Sequence, residues 1–240
     1  MIFAHRLACR TIEKFRKKGV VALGPFAGSP AAEDSIQHCW MRLLGVYEFY
    51  LHPYIEDAIL QRPPVVVDVG ASTGYYSIGL AYRLPNSKHI AFEMQSGERE
   101  SLARTASKIP TAINLKGLCT VDALREITMQ FDRGLLVMDC EGGERELLCD
   151  MIHRQLGKWS VILEVHDWHS PGVGEEIQKR FVQSHHVQEI WSREPKAADF
   201  SGLLPWPLNY YCEKPLAKIC AENRGENGMR FFYMTPKVSK

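Results

Sequence analysis

Residues 65–77 read VVVDVGASTGYYS. Val65 to Val69 is a short, mostly β-branched run with Asp68 as its only charge. That composition suits a strand buried on both faces of a sheet. Gly70 follows at once, then three small residues, then Gly74. Beyond them Tyr75, Ile78, Gly79 and Tyr82 recur three and four apart, the spacing of a helix face. The stretch predicts strand, tight glycine turn, helix. Glycine at the turn lets a ligand approach the backbone and accepts positive φ. The helix start offers free N–H groups to an anionic group. In open α/β sheets, the crevice at the carboxyl end of such a strand is the usual ligand site.

The ligand class follows from what surrounds the turn. A dinucleotide fingerprint needs G-x-G-x-x-G. Here Gly70 and Gly74 are spaced G-x-x-x-G, and no third glycine serves a pyrophosphate. An acid, Glu93, closes the next apolar run at His89–Phe92. A second strand would present that carboxylate to ribose hydroxyls. A nucleoside without a pyrophosphate fits, and S-adenosylmethionine is one: it carries ribose, adenine and a carboxylate for the helix start.

Outward from this unit the chain alternates. Strands are predicted at 88–93, 111–117, 134–139, 159–166, 186–192 and 229–236. Helices are predicted at 73–83, 97–108, 120–128, 143–156 and 173–184, with Thr120 or Asp122 capping the third. Such alternation predicts an α/β fold: a Rossmann-like, doubly wound, mostly parallel sheet of about seven strands with helices on both faces. A last strand reached by a hairpin-like return would run antiparallel. Residues 1–62 read as a helical N-terminal extension, with a helix at 2–18 and helical material at 31–60 broken near Gly45 and Pro53. Tyr47 and Glu48 lie just before the sheet and could fold back over the cofactor. Residues 63–240 form the Rossmann-like domain. Within it 194–228, rich in Pro, Asn, Gly and charge, reads as an insertion that is a lid or a mobile loop.

Composition narrows the class. The 240 residues carry 29 Lys plus Arg against 28 Asp plus Glu, a net charge of +1, which argues against a dedicated nucleic-acid binder. No apolar run approaches the length of a membrane span. Seven cysteines without a C-x-x-C pair fit reduced thiols in the cytoplasm. The basic first 19 residues read as an ordinary surface helix rather than a targeting segment. Oligomeric state is open, a homo-oligomer included.

Two later strand ends concentrate ionisable groups. In LLVMDCEGGERELL, 135–148, Asp139 and Glu141 follow an apolar run. Two carboxylates there are costly to bury and seldom serve stability alone. In VILEVHDWHSPG, 161–172, Glu164, His166, Asp167 and His169 crowd one strand terminus. A histidine near neutral pH can take a proton from a hydroxyl. These groups could also ligate a divalent metal, but their spacing is that of no closed zinc site, so proton transfer is preferred and no metal is assigned.

Together, DVGASTGYYS, AFEM, TVDAL with LLVMDCEGGERELL, and ILEVHD resemble the FkbM-type class I methyltransferases, over about residues 65–192. The resemblance implies S-adenosylmethionine as cofactor and O-methylation of a small hydroxylated acceptor, a metabolite or sugar. It implies that Gly70 and Gly74 shape the cofactor loop, that Glu93 binds ribose, and that Asp139 and Glu141 lie beside the methyl-transfer point. The full expected cofactor set is Asp68, Gly70, Ala71, Gly74, Tyr75, Glu93, Met94 and Asp122. Leu118, Cys119 and Asp122 compete for the adenine. His166 is the expected base, assisted by Asp139 or Glu141, with Asp167 as an outside candidate. Alternatives are a nicotinamide-dependent oxidoreductase and a catalytically inactive Rossmann binding module.

Overall fold

The computed structural model describes residues 2–32, 39–221 and 228–237. The central strand is β1 (Val65–Val69), every residue of it buried. On one side it pairs in parallel with β2 (Lys88–Phe92), and β2 with β3 (Ile113–Lys116). On the other it pairs in parallel with β4 (Leu135–Met138), and β4 with β5 (Ser160–Val165). The last strand, β7 (Arg230–Pro236), inserts antiparallel between β5 and β6 (His185–Trp191). The order is β3-β2-β1-β4-β5-β7-β6. The expected mostly parallel, doubly wound sheet with an antiparallel last strand is what forms.

Strand residues alternate between two apolar layers, as a period of two requires. Val65, Val67, Val69, Leu136, Met138, Val161 and Leu163 face one layer. That layer is covered by α6 (Val121–Gln130), α7 (Glu144–Leu147), α8 (Asp150–Gln155) and α9 (Val173–Phe181), through residues such as Leu124, Leu147, Ile152 and Phe181. Val66, Leu135, Val137, Ile162 and Phe231 face the other. There they meet α3 (His52–Leu60) and Leu80 of α4 (Tyr75–Arg83). The N-terminal α1 (Ile2–Lys18) and α2 (Cys39–Leu44) belong to the same layer. A short helix α5 (Ser96–Ala106) follows β2.

Three expectations are corrected. The 194–228 insertion is not a loop throughout where it is described. It carries helix α10 (Leu208–Ile219), which packs along α1. Phe200, Cys212, Leu216 and Cys220 join Ala8 and Ile12 in one buried cluster, so its apolar spacing is satisfied inside the protein. The single helix at 143–156 is two, α7 and α8, because Cys149 adopts extended backbone between them. Pro53 does not break a helix: it sits in the first turn of α3, where its missing N–H costs nothing. No helix among the described residues is long and apolar enough to cross a membrane.

Candidate functional site

The carboxyl ends of β1, β2, β4 and β5 open onto one cavity of about 770 Å³. Gly70 shapes its floor. Its φ is +84°, and a Cβ there would lie 1.6 Å from the carbonyl oxygen of Asp139. The turn after β1 therefore passes hard against the end of β4, and only glycine allows it. The Gly70 and Ala71 amides are taken by the carbonyl of Phe92, which ties the turn to β2.

Glu93 stands beside the Gly70 turn on the cavity wall, 7% exposed. Its carboxylate accepts 2.8 Å hydrogen bonds from the amides of Ser72 and Gln95. The acid is thus aimed by backbone, not by a flexible partner. Met94, Gln95, Leu118, Cys119 and Thr120 continue this wall. Of the three adenine candidates, Leu118 and Cys119 line the cavity. Asp122 does not: it is exposed on the first turn of α6, whose cap is the Thr120 hydroxyl.

Asp68, Ala71, Gly74 and Tyr75 stand behind the cavity rather than on it. Asp68 is buried and accepts the Ser77 hydroxyl. Burial raises its pKa to about 6. Gly74, φ +97°, begins α4. Tyr75 packs edge-on against Phe26 and Tyr47. These residues hold the glycine turn in place.

The opposite end of the cavity carries Asp139, Glu141 and Glu164. Burial, then the charge of Glu48, raises the Asp139 pKa to about 7, against the pull of His166. Glu48 itself is buried, with left-handed backbone, and accepts the Tyr76 hydroxyl. Its neighbour Tyr47 lines the cavity beneath the Arg42 guanidinium, which lies 4.7 Å from its ring and also reaches the Thr73 hydroxyl at 3.0 Å. Tyr47 does fold back over the crevice. Arg42 was not legible in sequence, since nothing in α2 marks one cation as special.

His166 is 1% exposed and lies behind the cavity wall instead of on it. Its Nδ1 is 2.6 Å from Glu144 Oε1, and its Nε2 is 3.5 Å from Asp139 and 3.6 Å from Glu141. Burial opposes a charged ring, but the Glu144 hydrogen bond and the surrounding carboxylates outweigh it and raise its pKa. Glu144 is fully buried; its bonds from His166 and the Gly142 amide overcome burial and hold its pKa low. Sequence reading gave Glu144 no role, although it is the third acid of the DCEGGE run. Asp167 is occupied elsewhere: it accepts the Gly174 amide at the start of α9 and pairs with Arg230. His169 is exposed and packs over Gly142.

No family model matches the chain. Over 82 residues it is 33% identical to the AMB antimetabolite synthetase AmbE of Pseudomonas aeruginosa, a match covering 34% of this chain and 4% of that protein. The chain therefore spans only a small part of that relative's length. Among solved structures it resembles a precorrin-6y C5,15-methyltransferase from Geobacter metallireducens, with a TM-score of 0.51 and 13% identity, over 77% of this chain and 88% of that one. It resembles the MccD protein with a TM-score of 0.50 and 10% identity, over 79% of this chain and 97% of that one. At such identity the likeness speaks for the fold, and with the strand order above it gives this chain the Rossmann-like methyltransferase fold.

Proposed function

We propose that the protein is an S-adenosylmethionine-dependent methyltransferase of FkbM type that methylates a hydroxyl of a small metabolite or sugar. One observation carries this reading. Glu93, fixed by two backbone amides, one of them in the Gly70–Gly74 turn, stands beside that turn on the wall of a cavity that also holds Asp139, Glu141 and Glu164. A carboxylate held in that way suits two ribose hydroxyls. The wall from Met94 to Cys119 suits adenine, and the glycine turn suits the methionine tail. The sulfonium methyl then points toward Asp139, Glu141 and Glu164.

The methyl is already activated, so positioning is the main requirement. Acceptor oxygen, methyl carbon and sulfur must lie in line. Negative charge near the sulfonium favours its binding. The hydroxyl proton leaves to the carboxylate group at this end, which His166 backs. A dinucleotide oxidoreductase is disfavoured by the missing third glycine and by the antiparallel β7 inside the sheet.

Isothermal titration with S-adenosylhomocysteine tests the cofactor. Methyl release across a panel of hydroxylated compounds then tests the chemistry. Binding without turnover on any of them would leave the inactive binding module; no binding would end the reading.

A further inference from the structure

We propose that Asp139, Glu164 and His166 form a divalent-metal site at the acidic end of the cavity. Each offers one ligand atom, and these atoms all lie within 4.8 Å of one another. Asp139 comes from the end of β4, Glu164 from β5, the strand paired beside it, and His166 from the residue just past the end of β5. The sheet register, not a flexible loop, brings them together.

The separations are those of ligands around an ion, not of bonded partners. His166 Nε2 stands 3.5 Å from Asp139 Oδ1. That exceeds the usual 2.7–3.2 Å of an N–H···O bond. Two atoms each about 2.1 Å from a tetrahedral ion lie roughly 3.4 Å apart. Asp139 Oδ1 is buried and makes no hydrogen bond to any described residue, an expensive state without a further partner. His166 is 1% exposed, so its Nε2 has been buried facing this gap.

The outer contacts agree. Glu144 Oε1 lies 2.6 Å from Nδ1 and occupies that nitrogen, which leaves Nε2 to face the gap. A carboxylate behind a histidine fixes ring orientation in metal centres. One imidazole with two carboxylates suits a first-row divalent ion such as Mn²⁺ or Zn²⁺.

The role of the ion, though not the site itself, rests on the methyl-transfer reading. An acceptor hydroxyl bound to the ion is acidified and gives its proton to Glu141, the cavity carboxylate outside the ligand set. The oxygen lone pair attacks the methyl carbon. The carbon–sulfur pair returns to sulfur, which leaves as a neutral thioether.

The test uses the full chain, stripped with EDTA and titrated with Mn²⁺ while the free ion is followed by electron paramagnetic resonance. One bound Mn²⁺ per chain is expected. Affinity should fall at least tenfold in Glu164→Gln and His166→Gln and about tenfold in Glu144→Gln, which orients the ligand without touching the ion. Asp122→Asn should bind as the parent does. Crystals of the unmodified protein soaked in Mn²⁺ should give an anomalous peak between the three side chains, whatever the variants do to folding. No binding at millimolar Mn²⁺, a peak elsewhere, or equal affinity in folded Glu164→Gln would overturn the site. S-adenosylhomocysteine titration of the same samples separates the two ideas. Cofactor binding without metal sinks the site alone, and metal binding without cofactor sinks the methyltransferase reading alone.

Discussion

His166 Nδ1 lies 2.6 Å from Glu144 Oε1, and both side chains are buried, at 1% and 0% exposure. They are 22 positions apart in the chain and come from different elements. The contact locks the imidazole, so the group at the end of β5 has one orientation. It turns Nε2 toward Asp139, just behind the cavity wall. The reactive face is left to Asp139, Glu141 and Glu164.

Glu93→Ala should weaken S-adenosylhomocysteine binding by roughly 10- to 100-fold, the usual worth of hydrogen bonds to a charged group. Titration calorimetry reads this directly. An unchanged affinity would move the ribose away from β2.

Gly70→Ala should destabilise the fold by more than ~2 kcal/mol, through positive φ and a clash with the Asp139 carbonyl. Gly117→Ala is the control. It also lines the cavity, but a Cβ there meets nothing within 4 Å and its φ is ordinary. Thermal unfolding of the two should differ by many degrees.

Tyr47→Ala should alter the acceptor KM more than the affinity for S-adenosylhomocysteine. The ring lines the acidic half of the cavity and lies outside the Glu93 wall. Equal effects on both would show that Tyr47 touches the cofactor.

Asp68 and His52 give opposite pH signatures. Asp68 is raised to about 6, so the folded state holds its proton more firmly than the unfolded state. Its contribution to stability is full below about 4 and is lost as pH rises through 6. His52 is lowered by burial to about 4, so its contribution is present above about 6.5 and is lost as pH falls through 4. Asp68→Asn and His52→Gln should therefore change the slope of stability against pH in opposite directions between pH 4 and 6.5. Denaturant melts of each variant against the parent would show it. Parallel curves would contradict the assigned shifts.

Leu216→Ala should cost about 2–4 kcal/mol, as for other fully buried leucines. A cost near zero would restore the insertion to the status of a loose loop.

Local chemistry made much of this legible. Val65–Val69, Gly70 and the repeat after Gly74 announce strand, turn and helix because each signal lies within a few neighbouring residues. Glu93 was found because a crossover of fixed geometry sets where the second strand ends. Glu144 and Arg42 were not found, since their partners, His166 and Tyr47, become neighbours only in the folded chain. Asp122, one of three competitors for the adenine, is exposed on the first turn of α6, which the Thr120 hydroxyl caps.

Sequence alone determined the succession of the seven strands and the glycine turn, because period and turn chemistry act over short range. Tertiary structure decided which acids meet. Pairing β4 with β5 put Asp139 beside Glu164 and His166, and packing α7 beneath them buried Glu144. It also seated the insertion helix against α1, since an apolar face finds its partner through burial and not through proximity in sequence.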